Sequence, residues 1–307
     1  MKVLYCTPIE PEGEKRIQDL GYKVVAKKEK DLRQEDLENV DVFVGMNPFS
    51  KIDFTKGSLK FIQLQTQGFD HLPKNDLEGV LVANNHGGYA IPIGEWIVTK
   101  ILESFKHTRN IYNLEKKRQW KKDFGIEELT GKKVLFVGTG TIASEAAKRL
   151  LPFGVEIFGT NRSGKSAPFI EKILKLDELD EILPQVDVLV PVLPATKDTE
   201  DLIDASMLKA LKAGSVIVNI SRGQIIDEKA LLEVIDKFLA VHLDVTKQEP
   251  LPVDHPLWEK ENVYISAHTS WVSQYVDKRR DDLIYENLRR FIQAEELLNL
   301  IDLRRGY

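Results

Sequence analysis

Residues 134–162, VLFVGTGTIASEAAKRLLPFGVEIFGTNR, constrain the fold more than any other stretch of this 307-residue chain. An apolar run ends at Gly138-Thr139-Gly140, an amphipathic stretch of helical period follows, and a second apolar run closes the unit. Strand, glycine turn, helix and strand in that order build a parallel sheet. Gly138 permits a tight turn, Gly140 lets the backbone approach a phosphate, and Ala143 takes the place of a third glycine whose task is close helix packing. Thr141 and Ile142 open the helix, where free N–H groups and the helix dipole favour an anion. The unit therefore predicts dinucleotide binding; a glycine-rich turn without a ligand is the plain alternative, and the flanking strands and helix argue against it.

The unit closes unusually. An acidic residue at the end of the second strand commonly accepts hydrogen bonds from a ribose, whereas an arginine accommodates a 2′-phosphate. Here Asn161 is followed by Arg162 and Ser163, with Lys165 two residues on. This ending predicts NADP(H) as the preferred cofactor and NAD(H) as the alternative, against the simpler view of a solvated polar turn.

The rest of the chain fits an α/β protein of two doubly wound, Rossmann-like parallel-sheet domains. The first third alternates KVLYC, GEKRIQDLGYKVVA, DVFVG, LKFIQLQTQG and VLVANN, a β-α-β rhythm. A helical stretch from Ile91 to about Trp120 is expected to connect domains and to offer an arm to a partner subunit. A second set of strands, KVLFVG, VEIFGT, VDVLVPVL, SVIVNIS, LAVHLDV and NVYISAH, is apolar nearly throughout, as strands covered on both faces are. The final helix is expected from about Ser273 to Leu298.

Composition limits the function classes. Hydrophobic residues make up 42% and charged residues 30% of the chain, and no apolar run reaches bilayer length. A net charge of −5 disfavours bulk nucleic-acid binding. The single Cys6 supplies no disulfide framework and no cysteine metal site, so no metal is expected and a cytoplasmic setting is the default.

The candidate chemistry lies at the ends of later strands. Arg222 follows SVIVNIS, Asp244 ends LAVHLDV, Glu249 lies just beyond, and His268 follows NVYISA. In an open parallel sheet the ligand crevice lies outside the carboxyl ends of the strands, the side on which Gly138 would hold a cofactor. Singly, each residue is ordinary: a turn arginine, a loop acid, a capping histidine. Together they make a hydride-transfer site in which Arg222 forks onto a carboxylate, His268 exchanges a proton and Glu249 orients the imidazole.

At these residues the chain resembles the D-isomer-specific 2-hydroxyacid dehydrogenase family over nearly its whole length. LPATKDTEDLIDASMLKALKAGSVIVNISRGQIIDEKALLEVI resembles the family's long signature, and HLDVTKQEPLPVDHPLW and ISAHTSW follow it. The resemblance implies that Arg222, Glu249 and His268 are the catalytic Arg, Glu and His, and that Asp244 holds the nicotinamide carboxamide. It also implies that Pro194, Thr199 and Ile220 line the cofactor groove. LQTQGFDHL resembles the loop whose backbone N–H groups bind the substrate carboxylate, which implicates Gln67 and Gly68. Tyr89 stands where the family often has Asn, and Thr-Ser-Trp follows His268 in place of smaller residues. The implied architecture is a substrate domain of residues 1–95 and 273–307 and a dinucleotide-binding domain of residues 96–272, with a cleft between them. A homodimer built on the cofactor domain and the long helix is implied as well.

The expected reaction is NADPH-linked reduction of a 2-keto acid to a D-2-hydroxy acid. The first-domain loops MNPFSK and LQTQGF offer only Lys51 to a phosphate. The substrate is therefore expected to be an unphosphorylated acid such as glyoxylate or hydroxypyruvate, or a larger apolar keto acid touching Phe49, Phe69, Tyr89 or Trp271. An NAD-linked, phosphoglycerate dehydrogenase-like member and a dinucleotide-sensing, corepressor-like binding protein are the alternatives. A formate-type dehydrogenase would be expected to carry Gln at position 249.

Overall fold

The computed structural model describes residues 1–69, 72, 77 and 79–303, the side chain of Asp177 excepted. Asp70 and His71 of LQTQGFDHL, and residues 304–307, lie outside the described residues. The chain divides into two compact units, Met1–Tyr89 with Ser273–Tyr307, and Ala90–Val272.

In the first unit β1 (Lys2–Tyr5), β2 (Lys23–Ala26), β3 (Val42–Gly45), β4 (Phe61–Leu64) and β5 (Leu81–Ala83) form a parallel sheet ordered β2-β1-β3-β4-β5. Alternate strand residues feed two cores. Leu4, Phe43, Ile62 and Leu64 pack on one face. Val3, Tyr5, Val42, Val44 and Phe61 pack on the other, against Ile284 and Leu288 of the last helix, α8 (Val276–Ile292). Two buried polar contacts tie α8 down: the Tyr22 hydroxyl donates to the Leu288 carbonyl at 2.9 Å, and Asn287 Nδ2 donates to Gln63 Oε1 at 2.6 Å. A further helix of this unit, α1 (Pro11–Asp19), starts at a proline whose missing N–H costs nothing at that position.

The second unit carries β6 (Lys133–Val137), β7 (Glu156–Thr160), β8 (Lys172–Leu174), β9 (Val188–Pro191), β10 (Val216–Asn219), β11 (Ala240–Leu243) and β12 (Val263–Ile265). They form a parallel sheet ordered β12-β11-β10-β9-β6-β7-β8, flanked by α2 (Ala90–Phe105), α3 (Thr108–Lys116), α4 (Thr141–Leu150), α5 (Leu179–Ile182), α6 (Ala205–Ala210) and α7 (Glu228–Val234). Strands β9, β10 and β11 are buried at every position, which accounts for their unbroken apolar runs. Asp204 and Asp227 cap α6 and α7, accepting from the N–H groups of Met207 and Ala230. Both units are Rossmann-like α/β sheets. Among the described residues no helix is long and apolar enough to cross a membrane.

Three elements differ from the sequence expectation. The stretch from Ile91 to Trp120 is two helices, because His107 takes a left-handed conformation at φ 47° and breaks the chain between α2 and α3. Their burial explains the separation: α2 buries Ile93, Ile97, Ile101 and Phe105, whereas α3 buries none of its side chains. The His107 ring instead meets Asp123 at 3.0 Å. β8 is an additional edge strand of three residues. The last helix stops at Ile292, ahead of Ala294 at φ 56°.

One buried titratable group belongs to this framework. His242 on β11 is 3% exposed, stacks on Tyr264 and shares a 2.8 Å hydrogen bond with the Ser104 hydroxyl of α2. Burial, with Lys100 and Arg109 nearby, lowers its pKa to about 3. The unfolded chain therefore binds one more proton at this site between the two pKa values, and stability falls as pH drops from about 6 to about 4. His242→Phe should remove that contribution. Urea unfolding across this range should show a slope shallower than wild type by about 1.4 kcal/mol per pH unit.

Candidate active site

The strand order of the second unit reverses between β6 and β9, so the loops leaving these neighbouring strands diverge at their carboxyl ends. Gly138, just after β6, sits at φ 100°, and a Cβ on it would lie 2.2 Å from the carbonyl oxygen of Val192, just after β9. Only glycine allows this turn. Gly140 is different: a Cβ there would meet nothing within 4 Å, so that side of the turn is open to a ligand. Gly140 is also the N-cap of α4 and supplies no side-chain cap, leaving the first-turn N–H groups of Thr141, Ile142 and Ala143 aimed at whatever approaches. This cradle fits a pyrophosphate, with the helix dipole favouring its charge.

At the end of β7 the Asn161 amide donates to the Thr139 hydroxyl at 2.7 Å and to the Lys165 carbonyl at 2.9 Å. The Ser163 hydroxyl donates to Asn161 Oδ1, and the Lys165 N–H donates to the Ser163 hydroxyl at 3.3 Å. Asn161, Ser163 and the Lys165 backbone thus shape the loop, with Thr139 as a contributor that the sequence pattern does not mark. The Arg162 side chain is well exposed, and its guanidinium lies 3.7 Å from the Asp198 carboxylate. Across the switch point, Thr199 structures the Pro194–Thr199 turn: its hydroxyl donates to the Pro194 carbonyl and accepts from the Thr196 N–H. Ile220, after β10, is buried.

Arg222, Asp244 and His268 follow the adjacent strands β10, β11 and β12. Gly223 lets the Arg222 turn press against the next loop, because a Cβ there would fall 2.0 Å from the Thr246 carbonyl carbon. Arg222 donates from its guanidinium to the Ser221 carbonyl at 2.8 Å. In the loop beyond Thr246, Glu249 Oε1 accepts from the Thr246 N–H at 3.2 Å, and Oε2 lies 2.9 Å from His268 Nδ1. The imidazole and the carboxylate are both about two-fifths exposed. With Nδ1–H directed at Glu249, Nε2 is the ring nitrogen left for another partner. Asp244, 3% exposed, accepts from the Ser266 hydroxyl and the Thr269 N–H at one oxygen and from the Ser270 N–H at the other. These bonds hold the His268 loop, and His268 itself sits at φ 50°. The Trp271 indole donates to the His268 carbonyl at 2.9 Å.

In the first unit Gln67 and Gly68 lie in the loop after β4. Its carbonyls are held from behind: Asn85 and Tyr89 donate to Gln65, Asn84 donates to Gln67, and the Thr66 hydroxyl donates to Gly68. These braces were invisible in the sequence. The Phe49 and Phe54 rings meet tilted, with centroids 4.8 Å apart, and both Phe49 and Phe69 pack against the unit's core.

Residues 98–270 match the family model for the NAD-binding domain of D-isomer specific 2-hydroxyacid dehydrogenases. The chain belongs to the D-isomer specific 2-hydroxyacid dehydrogenase family. It is an NAD(P)-dependent oxidoreductase of hydroxy and keto acids. Among its relatives is a glyoxylate reductase of Thermofilum pendens, 29% identical over 78% of this chain and 73% of that protein. A D-isomer specific 2-hydroxyacid dehydrogenase family protein of Aeromonas salmonicida superposes with a TM-score of 0.87 at 26% identity, covering 98% of this chain and 99% of that one. A probable 2-hydroxyacid dehydrogenase of Rhizobium etli, in complex with NADP, HEPES and L(+)-tartaric acid, superposes with a TM-score of 0.82 at 25% identity, covering 100% and 99%. The match to the family's NAD-binding domain lies within the second unit of this dehydrogenase, the unit that carries the Gly138 turn and the strand-end residues.

The two kinds of glycine separate fold from cofactor binding. Gly223→Ala should destabilise the dehydrogenase by about 2–3 kcal/mol, because the Thr246 backbone must move. Gly140→Ala should leave the melting temperature within a few degrees of wild type yet weaken dinucleotide binding at least roughly ten-fold, read by titration of protein fluorescence. Equal loss of stability in both variants would contradict this division.

Proposed function

We propose that this dehydrogenase reduces an unphosphorylated 2-keto acid to the D-2-hydroxy acid using NADPH. The observation that carries the reading is the 2.9 Å contact between His268 Nδ1 and Glu249, on the same sheet edge as Arg222 and the Gly138 turn. The second unit provides the cofactor site and the first unit the carboxylate loop. From β7 to β11 the edge spans four strand spacings, about 19 Å, so adenosine and nicotinamide halves lie over different strand ends. Gly138, Gly140, Thr141 and Ile142 receive the pyrophosphate, Pro194, Thr199 and Ile220 line the groove, and Asp244 keeps acceptor capacity for the carboxamide. The bound reduced nicotinamide supplies the hydride that adds to C2 of the keto acid. Arg222 pairs with the substrate carboxylate and polarises the C2 carbonyl. As the family resemblance implies, Gln67 and Gly68 of the first unit offer backbone N–H groups to a substrate carboxylate, and Trp271 lies beside His268 in the second. Protonated His268 gives its Nε2 proton to the carbonyl oxygen as the hydroxyl forms. Glu249 stabilises the imidazolium and fixes the ring.

The reading of NADPH rests on Asn161, in the place where an acid would repel a 2′-phosphate, and on the exposed guanidinium of Arg162 beside it, with Asn161, Ser163 and Lys165 shaping the loop. The relative named a glyoxylate reductase, and the absence of an arginine from MNPFSK and LQTQGF, support a small unphosphorylated acid. A panel of keto acids run with NADPH and NADH tests both halves. NADPH should give the higher kcat/KM by at least about ten-fold, and phosphohydroxypyruvate should not lead the panel. His268→Ala should lower kcat by at least about a hundred-fold while leaving the NADPH dissociation constant within about two-fold; near-wild-type turnover would refute the assignment.

A homodimer through the α2–α3 region is part of the same proposal. Trp120 and Phe124 are 102% and 90% exposed, on a segment pinned by the Asp123 bonds to His107 and Asn110. Large apolar side chains exposed to water suit a partner copy. Light scattering should report a dimer for wild type and a shift toward monomer for Trp120→Ser.

A further inference from the structure

We infer that the Tyr89 hydroxyl is a positioning group for substrate binding, acting through the backbone of the loop at Gln65–Phe69. The inference rests on the proposal that this loop receives the substrate carboxylate.

Four consecutive carbonyls of the loop each have a donor. The Gln65 carbonyl accepts from the Tyr89 hydroxyl at 2.7 Å and from Asn85 Nδ2 at 3.1 Å. The Thr66 carbonyl accepts from the Asn85 N–H at 3.0 Å, the Gln67 carbonyl from Asn84 Nδ2 at 2.7 Å, and the Gly68 carbonyl from the Thr66 hydroxyl at 2.7 Å. A trans peptide sets each N–H opposite the preceding C=O. Fixing these carbonyls therefore fixes the directions of the N–H groups of Thr66, Gln67, Gly68 and Phe69, the donors that an arriving carboxylate would meet. Gln65 Nε2 and Gln67 Oε1 are buried without hydrogen-bond partners, so neither of these atoms braces the loop.

Of the braces, Tyr89 comes from farthest along the chain, 24 residues from Gln65. It is the last residue of the Met1–Tyr89 segment of the first unit. The bond it makes lies at the root of the loop, where β4 has just ended, so it sets the direction of the first peptide and of those that follow. A rigid phenol also limits the loop more than a flexible side chain would, since it loses fewer rotamers on bonding. Tyr89 touches no reacting atom in this scheme. Its effect is on how well the donors are aligned before the carboxylate arrives.

The test is Tyr89→Phe in the full chain, assayed with NADPH and the best keto acid of the panel. The expected result is a rise in keto-acid KM of about three- to ten-fold, with kcat and the KM for NADPH each within about two-fold of wild type. The dissociation constant of oxamate, a non-reducible keto-acid analogue, should rise in parallel on the NADPH-loaded protein. A keto-acid KM and an oxamate affinity unchanged within two-fold would overturn the inference while leaving the proposed activity standing. Equal loss of kcat, NADPH binding and melting temperature would overturn it too, by showing a purely structural role. Were wild type inactive on every keto acid, the activity proposal would fail, and the oxamate comparison would still decide the role of Tyr89. If Tyr89→Phe does not fold, Tyr89→Met is measured in its place with the same expectation.

Discussion

The candidate active site depends on two places where strand-end backbones approach more closely than any side chain would permit. At Gly138 the turn after β6 lies against the Val192 carbonyl, and at Gly223 the turn after β10 lies against Thr246. The first contact shapes the mouth of the switch point and opens the α4 N-terminus to a phosphate. The second presses the Arg222 turn against the loop that ends in Glu249. Interiors pack at crystal-like density, so neither contact has room to be made with an added methyl group. The chemistry on this edge is therefore set by backbone geometry before any functional side chain is considered.

Much of this was legible in the sequence because parallel strands buried on both faces leave unbroken apolar runs. VDVLVPVL, SVIVNIS and LAVHLDV mark β9, β10 and β11, and the residues after them are those that the sheet presents at its carboxyl edge. The strand β8 was not legible, since its three residues are flanked by charged ones and it pairs only at the sheet edge. The break at His107 was hidden for another reason. Helical period continues across it in the sequence, and only the contact of its ring with Asp123, 16 residues away, shows why the chain turns.

The site shows the same division. Arg222, Glu249 and His268 could be picked out because unusual side chains follow apolar strands. The groups that aim them could not. Thr139 steadies Asn161 from 22 residues away, and Asn84, Asn85 and Tyr89 brace the Gln65–Gln67 carbonyls from up to 24. Hydrogen bonds of this kind obey no period and join residue types common in any loop, so they emerge only when the fold has brought the partners together.

His268 illustrates what such support achieves. A non-glycine residue in the left-handed region costs about 1–2 kcal/mol relative to ordinary backbone, and persists only where its surroundings over-determine it. Asp244 supplies that determination. Its own N–H and carbonyl pair with the neighbouring segments, its carbonyl accepts the His268 N–H at 2.8 Å, and its carboxylate accepts three donors from residues 266–270. A buried carboxylate with three charge-assisted bonds offsets the local strain, since each such bond contributes roughly 1.5–3 kcal/mol. The imidazole is then delivered to Glu249 with its ring orientation already decided. The acid just after β11 thus shapes the His268–Glu249 pairing, and removing it would release the His268 backbone before it altered the imidazole itself.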